Sequence, residues 1–250
     1  LLRPPAWSLT LCSEGTDNPR FYIASGGGQK PGVLVEMTQL AAASLGQSLR
    51  IISHPWKRCI DKISKGEVDA TLAAIWTPER DSWGAYPKLS REPQAQPDRA
   101  LRLWRVQYPV FVPQSSNLGY NGQQFTGLKT GIGAPPGYIA WQRLKDQGAL
   151  SEQVLLPTVG LRLVAMNRLD GYVVERNIGR YLLRTTGHEQ QVKTLPTTYL
   201  EDDWFLVFSK QYQSANGALV QSLWQALGEI REQQGQAILA RYMAEAGPQQ

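Results

Sequence analysis

Two hydrophobic periodicities alternate along the chain, and together they lay out a doubled βα pattern. Leu9 and Leu11 alternate with polar neighbours, which predicts a short strand from Ser8 to Ser13. Val33, Met37, Leu40, Ala41 and Leu45 recur at helical spacing, so a helix is expected from Val33 to Gly46, with the glycine as its stop. Leu49 to Ile52 reads as another short strand, and Trp56, Ile60 and Ile63 mark one face of a helix that ends at Gly66. From Val68 to Ile75 the chain is almost wholly apolar, the pattern of a buried strand. A polar turn then presents Thr77 and Arg80 as Pro78 opens a new helix.

The second part of the chain repeats this construction. Gly84 to Gln107 interrupts it with Pro87, Pro93 and Pro97 among Gln, Arg and Ser, which predicts an irregular loop more mobile than its surroundings. Tyr108 to Val112 is extended. Strands are then expected at Thr130 to Ala134, Gln153 to Leu156 and Gly171 to Val174, and helices at Tyr138 to Gln147, Val159 to Arg168 and from Glu175 onward. Lys65-Gly66-Glu67-Val68-Asp69-Ala70 parallels Met166-Asn167-Arg168-Leu169-Asp170-Gly171, each a helix end, a polar turn and an aspartate before an apolar strand. Two α/β lobes of similar construction follow. Trp204 to Phe208 is the expected return crossing, after which Leu219, Leu223, Ala226, Leu227 and Ile230, then Ile238, Leu239 and Tyr242, form helical stripes that pack back on the first lobe. The first lobe is thus expected to comprise residues 1–107 plus 209–250, and the second 108–208 with the crossings, which act as a hinge.

Composition narrows the function without choosing it. The chain has 250 residues, 42% hydrophobic and 19% charged, an ordinary globular balance with room for two modest domains. The net charge of +5 is scattered, without a basic block, so nucleic acid is not an expected partner. No run approaches the roughly eighteen apolar residues of a membrane-spanning helix. No signal peptide stands at Leu1, and export is neither shown nor excluded by that end. Two cysteines, Cys12 and Cys59, fit neither a zinc site nor a redox pair, so no metal and no cofactor are expected. They read equally as one disulfide or as two buried thiols. Gly26-Gly27-Gly28 lacks the Lys-Ser/Thr of a phosphate loop.

Two readings fit Thr77-Pro78-Glu79-Arg80. It is a good capping sequence with a solvated arginine, or it is a carboxylate receptor at the carboxyl end of a strand, where open α/β sheets bind ligands. The run from Trp56 through Gly66, Asp69 and Arg80 resembles the bacterial extracellular solute-binding proteins of family 3, the periplasmic receptors of polar amino-acid importers. The resemblance implies a type II periplasmic-binding-protein-like α/β fold, a cleft between two lobes, and Arg80 on the ligand's α-carboxylate. It also implies ligand contacts from Asn18 in the first pocket loop, Trp56, Ala73, Ile75 and Thr77. For Trp56 a core role fits equally well. In the second lobe Gly133-Ala134-Pro135-Pro136-Gly137-Tyr138 resembles the family's Gly-x-x-x-Gly-Thr loop, which implies Gly137 and Tyr138 at the ligand carboxylate. Tyr138 departs from the usual threonine or serine. Glu175 takes the position of the family's ammonium-binding aspartate, although a glutamate opening a helix also suits the helix dipole. Further departures are Ala73, Ala74 and Ile75 where many relatives place a serine, and a segment from Asp69 to Arg80 one residue short.

Catalytic signatures are missing. His54 and His188 lie in no hydrolase arrangement, and neither Gly-x-Ser-x-Gly nor His-Glu-x-x-His occurs. The expected protein is a non-enzymatic monomer of the periplasm that captures an amino acid or organic anion and hands it to a membrane ABC permease. The alternatives are a ligand-sensing receptor domain and a dehydratase-type enzyme using Glu175 as acid or base.

Overall fold

The structure, a computed structural model, describes residues 8–14, 31–90, 92 and 95–244. Its contacts divide the chain into two compact units: one extends to Arg105 and resumes over Asp203–Tyr242, the other runs over Val106–Asp202. Both are α/β, and the chain passes between them twice, within strands β5 (Trp104–Tyr108) and β12 (Leu200–Ser209), which pair with each other.

In chain order the first unit opens with β1 (Ser8–Glu14), α1 (Val33–Ser44), β2 (Ser48–His54), α2 (Trp56–Ser64), β3 (Ala70–Ile75) and β4 (Gly84–Ala85), and then β5. β1 lies between β2 and β3 and is parallel to both. β12 runs antiparallel to β3 on one side and to β4 on the other, giving the order β2-β1-β3-β12-β4. The core of this sheet is built from Leu9, Leu11 and Cys12 of β1, Ala70, Leu72, Ala74 and Ile75 of β3, and Trp204 to Phe208 of β12, all buried.

The second unit contains β6 (Val110–Pro113), β7 (Gly119–Tyr120), β8 (Phe125–Thr126), β9 (Ile132–Gly133), α3 (Ile139–Asp146), α4 (Pro157–Ala165), β10 (Gly171–Val173), α5 (Arg176–Thr185) and β11 (Val192–Thr194). Its sheet has the order β11-β6-β10-β9, and β7 and β8 form a separate hairpin. Tyr172 of β10 is fully buried and its hydroxyl donates to the Leu155 carbonyl at 2.8 Å. Gly160 of α4 makes room for it: a Cβ there would stand 2.2 Å from the Tyr172 ring. The return through β12 leads to α6 (Lys210–Ala215), α7 (Gly217–Ile230), a π-helical turn (Arg231–Gly235) and α8 (Gln236–Ala244). α7 packs on α1, as the apolar stripe requires, and Trp224 fixes it by donating its indole N–H to the Leu206 carbonyl at 2.8 Å.

The internal parallel read from the sequence extends to the backbone. Gly66 and Asn167 both have positive φ, 70° and 57°. The amide of Gly66 donates to Ile63 and that of Glu67 to Lys62; the amide of Asn167 donates to Val164 and that of Arg168 to Leu163, the same closure three and five residues back. Three residues later come the two aspartates. Asp69 accepts the Thr10 amide at 2.7 Å, and Asp170 accepts the amides of Lys129, Thr130 and Gly131 at 2.5, 2.7 and 2.9 Å. Each carboxylate ties the start of its own buried strand to an earlier segment of the same unit.

Several expected elements are corrected. Gly84 to Gln107 is not one irregular loop: it holds β4, a 3₁₀ turn over Arg99–Leu101 and β5, and it buries Tyr86, Leu103, Trp104 and Val106. These apolar anchors are too widely spaced, and too interspersed with proline, to register as a period. Gln153 to Leu156 is no strand; Val154 is 73% exposed and only Leu155 is buried. The expected strand at Thr130 to Ala134 shrinks to Ile132–Gly133, because the amides before it turn inward to Asp170. No helix begins at Pro78; a turn leads into a 3₁₀ segment over Arg80–Ser82. The alternative left open for the cysteines is resolved as a Cys12–Cys59 disulfide joining β1 to α2.

Candidate functional site

In the first unit, five of the residues singled out in the sequence, Trp56, Ala73, Ile75, Thr77 and Arg80, gather around the carboxyl end of β3. β3 reaches that point through an irregularity: Ala74 pairs with Phe205 and Thr71 with Val207, so Leu72 and Ala73 together face Leu206. Ala73 takes up the extra length at φ 63°, in the left-handed region that costs a non-glycine residue about 1 kcal/mol or more. Ile75 follows, 5% exposed, and its carbonyl accepts two hydrogen bonds, from the Arg80 guanidinium and from the Tyr86 hydroxyl, each at 3.1 Å.

Arg80 is fixed from several sides. Its backbone amide donates to the Thr77 hydroxyl at 3.1 Å, and its guanidinium carbon lies 5.5 Å from the centre of the Trp56 ring, within cation–π range. Trp56 heads α2, the helix that the disulfide secures through Cys59. The neighbouring carboxylate is committed elsewhere: Asp81 accepts Lys88 at 2.5 Å and the Trp76 indole at 3.3 Å. Among the described residues no carboxylate pairs with Arg80. The result is a half-buried, oriented cation. Trp56 is 8% exposed, and its indole nitrogen is buried without a hydrogen-bond partner.

Two features expected here differ. With no helix at Pro78, the backbone contributes no helix-start amides; those of Arg80 and Asp81 close on Thr77 instead. Thr77 thus closes the turn, its hydroxyl and carbonyl taking the two amides that a helix start would have left free. Tyr86 was missed, because its role comes from folding back 11 residues onto Ile75, which no local pattern encodes.

The second unit places Glu175 and the Gly137-Tyr138 turn at different helix starts. Glu175 is 2% exposed and caps α5, accepting the amides of Asn177 and Ile178 at 2.9 and 3.0 Å and the Asn177 side chain at 3.3 Å. The helix-opening alternative therefore describes its present bonds. Gly137 is exposed at φ 81°, and Tyr138 is the N-cap residue of α3 without a side-chain capping bond. Asn18, expected in the first pocket loop, lies outside the described residues. Among those residues no cluster of His, Cys, Asp and Glu could hold a metal, and no helix is long and apolar enough to cross a membrane.

No protein-family profile matches the sequence, and no curated protein does. Solved structures do. A histidine kinase sensor domain with similarity to periplasmic binding proteins aligns with TM-score 0.73 and 17% identity over 96% of this chain and 98% of its own. The amino acid ABC transporter substrate-binding protein AbpA from Streptococcus pneumoniae, bound to L-arginine, aligns with TM-score 0.67 and 14% identity over 96% and 94%. The ancestral amino acid-binding protein AncCDT-1, a precursor of cyclohexadienyl dehydratase, aligns with TM-score 0.70 and 12% identity over 94% and 95%. The fold is the type II periplasmic-binding-protein-like fold, two α/β lobes joined by two strands.

Proposed function

We propose that this chain is a solute-binding protein of the periplasm that captures a small carboxylate-bearing ligand, an amino acid or related organic anion, for an ABC importer. The observation that carries the reading is Arg80: held by the Ile75 carbonyl and the Trp56 ring, with Asp81 diverted to Lys88, it is prepared for a carboxylate that the described chain does not supply. A guanidinium meets such a group through two parallel hydrogen bonds. Ile75 and Trp56 would flank the ligand, and Ala73 would leave it space. The disulfide supports an oxidising compartment.

Glu175 is the weaker element. To meet a ligand ammonium it must share a carboxylate already bonded to two helix amides, which favours ligands whose carboxylate does most of the work. The same bonds weigh against Glu175 as a general acid or base, and so against the dehydratase reading. A sensing role for the same site is the second reading, favoured by the likeness to a kinase sensor domain.

A thermal-shift screen of amino acids, amines and organic acids against wild type, Arg80→Ala and Glu175→Gln tests the proposal. A stabilising ligand that loses its effect in Arg80→Ala upholds it. Loss there with survival in Glu175→Gln assigns a simple carboxylate, and stabilisation that survives Arg80→Ala unchanged removes the reading. Turnover of the bound compound would replace binding with catalysis.

A further inference from the structure

The second unit carries a cavity of about 400 Å³, lined by Gln123, Gln124, Phe125, Leu128, Gln147 and Ala149, none of them a residue of the site above. That volume lies within the usual range for small-molecule pockets. Its lining contains no charged side chain, although the protein as a whole carries 26 basic and 21 acidic residues.

The walls are held from behind. Phe125 stacks on Tyr120 with ring centres 4.4 Å apart, and both rings meet Tyr199, at 5.7 and 5.4 Å. Tyr199 in turn donates its hydroxyl to the Gln147 carboxamide oxygen at 2.8 Å, while the Gln147 nitrogen donates to the Gln123 carbonyl at 3.1 Å. One network therefore fixes an aromatic ring and a carboxamide on the same cavity. The hairpin that bears Phe125 is closed by Asn121, whose side chain accepts the amides of Gln123 and Gln124 at 2.9 and 2.8 Å. Gln124, an exposed residue, also lines the cavity, and its carboxamide can both donate and accept.

We propose that this cavity is a second ligand site, independent of Arg80, and that it takes an uncharged polyhydroxylated ring, a mono- or disaccharide. An anion or a zwitterion would find no opposite charge among the side chains that line it. A sugar ring offers an apolar face of C–H groups to Phe125 and a rim of hydroxyls, each both donor and acceptor, to carboxamides that are likewise both.

Saturation-transfer NMR on the intact protein with D-glucose, D-galactose, N-acetylglucosamine and maltose, and with L-arginine and L-glutamate as charged controls, tests this. Transfer to the ring protons of at least one saccharide is expected, with affinity unchanged in Arg80→Ala and weakened about tenfold in Phe125→Ala. Gln124→Ala, an exposed change that leaves the hairpin's backbone bonds in place, is expected to weaken the same saccharide severalfold and guards against misfolding of the aromatic variant. No transfer to any of the four sugars overturns the proposal. So does a signal that persists in both Phe125→Ala and Gln124→Ala, or one lost in Arg80→Ala, which would put the sugar at the first site.

Discussion

The Cys12–Cys59 disulfide joins residues 47 apart in sequence, and its removal is the perturbation whose size follows most directly from the structure. Closing a loop of that length lowers the entropy of the unfolded chain by about 14 cal/mol/K, worth about 4 kcal/mol at 25 °C. With an unfolding entropy of about 2.1 cal/mol/K per residue, the melting temperature falls by about 8 °C if the whole chain melts together, and by more if the first unit melts alone. The assay is urea unfolding and calorimetry of the oxidised protein, the protein in reductant, and a Cys12→Ala/Cys59→Ala variant. Both cysteines are fully buried in the cluster that contains Trp56, Ile63, Val68, Ala74 and Tyr86, so the alanine pair adds a cavity cost that reduction does not. A loss below about 1 kcal/mol on reduction would refute the reasoning, because the crosslink would then not constrain the unfolded chain. A local effect is also expected: α2 carries Trp56 beneath Arg80, so reduction should weaken carboxylate binding even where the protein remains folded.

Two further expectations are cheaper to check. Asn167→Ala and Gly66→Ala should each destabilise by about 1 kcal/mol in urea unfolding, since both positions hold positive φ; equal stability would mean that the turns relax. At high pH, burial and then the hydrogen bond to Glu36 push the Tyr242 hydroxyl up to about 12, so the unfolded chain, with its tyrosines near 10, releases this proton first. Stability should therefore be intact below pH 10 and fall as pH rises toward 12, and Tyr242→Phe should flatten that fall in a pH series of melting curves.

The parts of this fold that were legible in the sequence are those with a regular period or a local signature. α1, α2 and α7 follow their apolar stripes, β3 its almost wholly apolar run, and the paired turns before Asp69 and Asp170 their matching residue types. What escaped depends on partners distant in the chain. β5 is a strand because β12 pairs with it, and Gly84 is needed because a Cβ there would come within 2.5 Å of Val207, more than a hundred residues away. The site shows the same division. The type and place of Arg80 could be read from the turn after β3, whereas its orientation comes from Trp56, and the diversion of Asp81 comes from Lys88. Glu175 shows the limit of reading by position: a role at the helix start and a role at a ligand both fitted the sequence, and only the fold shows that two amides of α5 already bond its carboxylate.

The central claim is that Arg80 receives the ligand's carboxylate, and calorimetric titration arranged as a double cycle tests it most directly. A ligand from the screen and its carboxamide analogue are each titrated into wild type and Arg80→Ala. Truncation leaves a desolvated carboxylate without its partner, so the carboxylate ligand should lose about 2 to 5 kcal/mol, roughly thirty-fold to several thousand-fold in affinity. The analogue, already lacking the charge, should lose far less, giving a coupling energy well above 1 kcal/mol between guanidinium and carboxylate. Equal losses for the two compounds, with no coupling, would contradict the account and return Arg80 to the role of a structural cap on β3.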